Sequence, residues 1–253
     1  MAHARSRRGC LLGDRDAPTD GDARTDGSDV TELHELGLRT LAAALRDGDV
    51  TPVEATAYFL ARIEEHAELG SFAEVTADAA REHAVALGTP PTETPPLWGV
   101  PLADKDLTAR AGVPTRYGSR AFADNVPDRS DPLATVLDHA GGISLGKTST
   151  PEFGLTGFTE TRIGPPARDP WGPANGAGGS SGGAAVAVAA GLLPAAPGSD
   201  GGGSIRIPAA TVGVVGVKPS RGRVPSGSGL DSPGGLAVAG TIARTVDDAA
   251  MLL

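Results

Sequence analysis

The sequence predicts an α/β fold, a layered sheet covered by helices, and three observations carry that expectation. Between residues 30 and 88 apolar side chains recur at three- and four-residue spacing, as one buried face of a helix requires. Beyond a proline-rich stretch at 89–98, short apolar runs alternate with helical segments, the pattern of a layered α/β sheet. The third is glycine: 36 residues, of which 19 lie between Gly172 and Gly240. Glycine and proline together make 57 of 253 residues, below the roughly 25–30% that marks low complexity. Clustering on that scale points to a local structural need.

Taken in order, residues 1–29 are polar, small and rich in aspartate, and are expected to form a disordered tail ahead of a partial domain at 30–253. From Val30 a helical pattern places Leu38, Leu41 and Leu45 on one face, with Gly48 as terminator. A second helix opens at Thr51, with Pro52 in its first turn and Glu54 completing a capping box. Its expected buried face is Val53, Thr56, Leu60 and Ile63. A third runs from Thr76 to Leu87 and ends at Gly88. After the connector, Leu97 to Leu102 is a strand approach and Gly142 to Gly146 a buried strand, with a helix from Asp131-Pro132 to His139 between them. Gly183 to Gly191 is a helix of alanine and valine, and Val212 to Val217 is again strand-like. The signature Thr245-Val246-Asp247-Asp248 opens a helix that stops at Leu253, so the domain is expected to be truncated at its C-terminus.

Composition narrows the function. A net charge of −9 gives no electrostatic case for nucleic acid or for an anionic membrane. One cysteine, Cys10, excludes an internal disulfide framework and a multi-thiolate zinc site, and it fits a reducing compartment. The opening Ser6-Arg7-Arg8 resembles a twin-arginine signal, but Gly13-Asp14-Arg15-Asp16 stands where an export signal needs an apolar run. The expected location is therefore the cytoplasm. No run approaches the roughly 18 apolar residues of a membrane span.

Two segments concentrate the chemistry: Gly178-Gly179-Ser180-Ser181-Gly182-Gly183 and Gly198-Ser199-Asp200-Gly201-Gly202-Gly203-Ser204-Ile205-Arg206. A flexible linker would not run into apolar elements or carry an aspartate and an arginine. A phosphate-binding loop would need a lysine that neither segment supplies. Taken alone, each cluster fits a structural turn as well as an active site. Ser180 also lies in a G-x-S-x-G pattern, yet the nucleophile elbow requires a later histidine, and none follows. His3 falls in the tail, and His34, His66, His83 and His139 all fall in helical patterns. A serine nucleophile still needs a proton acceptor, and a desolvated lysine can serve. Of the three lysines, Lys147 and Lys218 are readable as surface residues. Lys105 follows an apolar strand and stands between Asp104 and Asp106, where a plain ion pair is an equal reading.

From about Thr40 to Leu253 the chain resembles the amidase signature family of serine hydrolases. The matching stretches, in order, begin with Gly99-Val100-Pro101-Leu102-Ala103-Asp104-Lys105-Asp106, Leu145-Gly146-Lys147-Thr148 and Asp169-Pro170-Trp171. The two glycine–serine clusters follow, then Gly216 to Val224 and Gly240 to Val246. The resemblance implies an α/β/α fold on a mixed sheet, no cofactor and no metal. It implies a Ser–cis-Ser–Lys triad that falls on Ser204 as nucleophile, Ser180 as relay and Lys105 as base, at separations of 24 and 75 residues.

Under that resemblance the backbone amides of Gly201, Gly202 and Gly203 form the oxyanion hole, glycine letting them turn inward. Ser181, Asp200 and Arg206 support the site, and the small-residue helix brings its positive N-terminal end to it. The reaction implied is hydrolysis of a small-molecule carboxylic amide to the acid and ammonia or amine, through an acyl-enzyme on Ser204. A homodimer is one assembly it leaves open. The alternatives are an A-type subunit of an aminoacyl-tRNA amidotransferase, which would need partner subunits, and an inactive truncated fragment. Departures from the family pattern are Asp104 before the lysine, Gly201 where threonine is frequent, Thr161 in place of an asparagine, and the short length.

Overall fold

A computed structural model of the chain describes residues 32–225 and 235–253. The expected tail at 1–29 lies outside the described residues. Helix α1 (Leu38–Asp47) buries Leu38, Leu41, Ala42 and Leu45 and stops at Gly48, whose φ of 81° is left-handed. Helix α2 (Pro52–Glu65) begins with the reciprocal capping box. Thr51 N–H donates to Glu54 Oε2 at 2.9 Å and Glu54 N–H to Thr51 Oγ1 at 3.1 Å, which satisfies two otherwise unpaired backbone donors. Its buried face is Pro52, Ala55, Thr56, Phe59, Leu60 and Ile63. Val53, expected on that face, is exposed. Pro52 takes the core position in the first turn instead and packs against Gly99, whose missing Cβ would lie 2.9 Å from Pro52 Cγ.

Strand β1 (Phe72–Val75), not anticipated from the sequence, leads into α3 (Ala77–Leu87). Strand β2 (Pro101–Lys105) starts later than expected. Leu97 and Gly99 donate to the carbonyls of Ala140 and Gly141 rather than joining a ladder. After α4 (Pro132–His139), β3 (Ile143–Thr148) runs down the middle of a three-stranded sheet ordered β1-β3-β2. It is antiparallel to β1 and parallel to β2, so the sheet is mixed as the resemblance implied.

Helix α5 (Gly182–Ala189) is buried over nearly its whole surface and packs against strands of both sheets. Only a rod of glycine, alanine and valine is thin enough to fit there. Val186 and Val188, fully buried, contribute roughly 1.5 kcal/mol each. Strand β4 (Ala195–Asp200) follows, then α6 (Arg206–Val212), β5 (Val215–Val217), β6 (Val238–Ala243) and α7 (Val246–Leu252). β6 is central in a second, antiparallel sheet ordered β4-β6-β5. The described strands thus make two three-stranded sheets. The strand expected at 212–217 is shorter than its apolar pattern, because Val212 ends α6 and Gly213 turns the chain with a left-handed φ of 77°. Thr245 caps α7 as expected, its hydroxyl accepting from Asp248 N–H at 3.1 Å.

Candidate active site

Lys105 closes β2. Because side chains alternate along a strand, Asp104 and Asp106 leave it on the other face. Asp104 accepts from Arg110 Nε at 2.6 Å, and that guanidinium also grips Asp138. Asp106 accepts from the backbone N–H groups of Arg116 and Gly118. The flanking ion pair that the sequence allowed is therefore absent. Lys105 is 1% exposed, and its Nζ faces three hydroxyls: Ser180 Oγ at 2.8 Å, Ser181 Oγ at 2.9 Å and Ser199 Oγ at 3.1 Å.

Burial without a carboxylate partner disfavours the ammonium form. Desolvation pushes the Lys105 pKa down from 10.5 to about 7, with Asp200 pulling weakly the other way. A neutral amine has two N–H donors and one lone pair. Ser181 Oγ sends its own proton toward Ser199 O at 3.3 Å, so it can only accept from the lysine. The hydroxyls of Ser180 and Ser199 are each free to donate to the lone pair, and the Ser180 contact is the shorter of the two.

The Gly178–Ser181 segment is held where it is by close backbone approach. The peptide bond between Gly179 and Ser180 is cis. A Cβ on Gly179 would lie 2.7–2.9 Å from the main chain of Phe158, so only glycine fits. Thr159 Oγ1 donates to Gly178 O at 2.8 Å and accepts from Gly182 N–H at 3.2 Å, bridging the segment. Gly182 and Gly183 N–H donate to Thr159 Oγ1 and Ser149 O. The first two amides of α5 are thus engaged locally, and the helix begins directly after Ser181, which occupies its N-cap position.

Ser204 occupies the turn between β4 and α6 and is half-buried. Its carbonyl accepts from Ser181 N–H at 3.0 Å, which ties the two glycine–serine segments together. Its hydroxyl forms no hydrogen bond among the described residues. Asp200, fully buried, organises the turn by accepting from the N–H groups of Gly203 (2.6 Å), Ile205 (3.2 Å) and Arg206 (3.4 Å), and from the Arg206 guanidinium (2.9 and 3.0 Å). Burial alone would raise the pKa of this carboxyl. The Arg206 contacts and the backbone donors outweigh it and hold Asp200 well below the usual carboxylate range.

Of the three expected oxyanion donors, Gly203 has its one N–H bonded to Asp200, whereas Gly201 and Gly202 are exposed. Ser199 was not singled out by sequence reasoning. Its signal, a hydroxyl one residue before the aspartate in the second cluster, becomes readable only once β4 lies beside the end of β2.

The remaining candidates fall elsewhere. Lys147, readable as a surface residue, is fully buried, donating to Thr108 O and to Thr115 Oγ1 at 3.2 Å. Lys218 donates to Pro219 O. Among the described residues no histidine is hydrogen-bonded to Ser180 or Ser204, and His34 instead pairs with Tyr58 at 2.6 Å. No group of three or more His, Cys, Asp or Glu suited to a metal ion occurs among the described residues, nor any helix long and apolar enough to cross a membrane.

Residues 54–253 match the model of the Amidase family. An acylamidase of Rhodococcus erythropolis is 40% identical over 87% of this chain and 47% of its own length. The A-type subunit of a glutamyl-tRNA(Gln) amidotransferase from Desulforapulum autotrophicum is 43% identical over 88% of this chain and 46% of its own length. The crystal structure of a bacterial aryl acylamidase of the amidase signature enzymes superposes with a TM-score of 0.79 at 34% identity, covering 87% of this chain and 47% of that one. The chain spans about half the length of the curated relatives it matches.

Proposed function

This chain belongs to the amidase family, and from that premise we propose that it carries the acyl-transfer centre of a serine amidase acting on a small carboxylic amide. The observation that carries the reading is the fully buried Lys105 amine bonded to Ser180 Oγ, with no carboxylate hydrogen-bonded to it and desolvation outweighing the pull of Asp200.

Ser204 Oγ attacks the amide carbonyl and passes its proton to Ser180 Oγ while Ser180 gives its own to neutral Lys105. The N–H groups of Gly201 and Gly202, both exposed residues, are the donors for the resulting oxyanion, and losing one such donor typically costs roughly 100–1,000-fold in rate. Gly203 fixes the loop through Asp200. Collapse breaks the C–N bond, with the proton returning from Lys105 through Ser180 to the leaving nitrogen. Water then hydrolyses the acyl-enzyme by the same relay.

Incubation with a fluorophosphonate tests the reading. The wild-type chain should be labelled on Ser204 and the Ser204→Ala variant should not. A folded wild-type sample that takes no label would favour the inactive fragment. A second reading, the A-type component of an amidotransferase, is supported by relatives of that name at up to 43% identity. Copurification of partner subunits would favour it over a free-standing amidase.

A further inference from the structure

Three hydroxyls enclose Lys105 Nζ: Ser180 Oγ at 2.8 Å, Ser181 Oγ at 2.9 Å and Ser199 Oγ at 3.1 Å. An ammonium carries three N–H donors and no acceptor, whereas a neutral amine has two donors and one lone pair. Three oxygens around one nitrogen therefore match the charged form donor for acceptor. In the neutral form one hydroxyl must turn and donate instead. The proton of Ser181 goes to Ser199 O at 3.3 Å, and the relay uses the proton of Ser180. That leaves Ser199 without a part in the transfer itself.

The backbone fixes where Ser199 sits. Its N–H donates to Ser181 Oγ at 3.3 Å, its carbonyl accepts from that same hydroxyl, and the β4–β6 ladder holds it opposite Ala239. Ser180 and Ser181 are fully enclosed, but Ser199 is only half-buried. Solvent can therefore take its hydroxyl proton while its lone pairs stay turned to the lysine. The next residue, Asp200, organises the Ser204 turn. The last two residues of β4 thus serve the two ends of the relay, one at the base and one at the nucleophile.

We propose that Ser199 is a positioning residue for the base, the third acceptor of a hydroxyl cage that fits the ammonium Lys105 becomes when Ser204 attacks. The proposal rests on the assignment of Ser204, Ser180 and Lys105 as the reacting groups. As the bond from Ser204 Oγ to the carbonyl carbon forms, the Ser204 proton moves to Ser180 and the Ser180 proton to the Lys105 lone pair. Positive charge then appears on Nζ inside the cage, and each of its N–H groups has an oxygen. A buried charge with its hydrogen bonds complete costs far less than one left short of a partner. Asp200 on β4 is the charged group that acts on the amine from the packed elements. Helix α5 carries no titratable side chain, and Asp104, Asp106 and Lys147 lie on the other face of the sheet.

The test is the pH profile of Ser204 labelling by a fluorophosphonate, on the full wild-type chain, on Ser199→Ala and on Ser199→Thr. Losing one acceptor destabilises the ammonium, so in Ser199→Ala the midpoint should move about one unit to lower pH. The rate on the plateau above it should fall roughly three- to tenfold, because the base is weaker. Ser199→Thr keeps the hydroxyl and should restore the wild-type midpoint. Ser199→Cys, similar in size but a weak acceptor, gives the same reading should the alanine variant fail to fold. A slower plateau with an unmoved midpoint would reduce Ser199 to a structural part and overturns the proposal. So does a midpoint that rises with faster labelling, which would mean that Ser199 donates into the lone pair. Nitrogen NMR of isotope-labelled lysine, in a chain with only three lysines, separates the proposal from the reading beneath it. A Lys105 midpoint about one unit lower in Ser199→Ala, in a chain that takes no label, keeps the cage and discards the nucleophile. Labelling with the same lysine midpoint in both proteins discards the cage.

Discussion

Replacing Lys105 by methionine should change how stability depends on pH, and the size of the change follows from the burial of the amine. The lysine titrates near 10.5 in the unfolded chain and at about 7 in the folded one. Between those values the unfolded chain holds more protons, so stability must rise with pH across that window and be lower toward pH 7. Folding releases about half a proton from this group at pH 7 and nearly a whole one at pH 9, which integrates to about 2 kcal/mol over the two units at 1.36 kcal/mol each. Methionine matches the length and apolar body of lysine and removes the titration. It also deprives three hydroxyls of a partner, but that cost does not vary with pH. Urea unfolding of both proteins at pH 7 and pH 9 isolates the effect, because every other titrating group, Lys147 included, is common to the two. The stability of wild type relative to the variant should improve by about 2 kcal/mol on going from pH 7 to pH 9. A difference that stays constant, or that moves the other way, would show that the buried amine remains charged. The same titration predicts that Ser204 labelling of wild type falls about tenfold per pH unit below pH 7.

Asp200→Asn should lower stability by about 2–3 kcal/mol at neutral pH by removing charge-assisted bonds that organise the Ser204 turn, with the half-exposed Arg206 limiting the loss. Thermal unfolding measures this; because the carboxyl is held below its ordinary pKa, the wild-type advantage should fade as the pH drops through the carboxylate range. Gly179→Ala should cost about 1–3 kcal/mol and lower Ser204 labelling, since the new methyl meets the Phe158 main chain at 2.7 Å. Unaltered labelling would mean that the segment carrying Ser180 has slack that the structure denies.

What was legible in the sequence, and what was not, divides along a physical line. The helices before residue 88 announced themselves because their caps are local. The Thr51–Glu54 box and the Gly48 stop need nothing beyond four consecutive residues. β4 could not be read, since Ala-Ala-Pro-Gly-Ser-Asp has no β-branched residue and is a strand only because β6 pairs with it from Ala195↔Ala243 to Asp200↔Val238. The state of Lys105 was undecidable for a similar reason. Two flanking aspartates look like ion-pair partners in one dimension, and strand alternation sends both to the other face. Family resemblance could point to Lys105 and Ser180, but the chain's packing is what keeps the amine dry. A methyl on Gly198 would lie 3.0 Å from Ser181 Oγ, and one on Gly179 would strike the Phe158 backbone. The clustered glycines therefore let backbone and hydroxyls close tightly around one amine. Exclusion of water there is what lowers its pKa, so the glycine excess and the proposed base are two aspects of one packing solution.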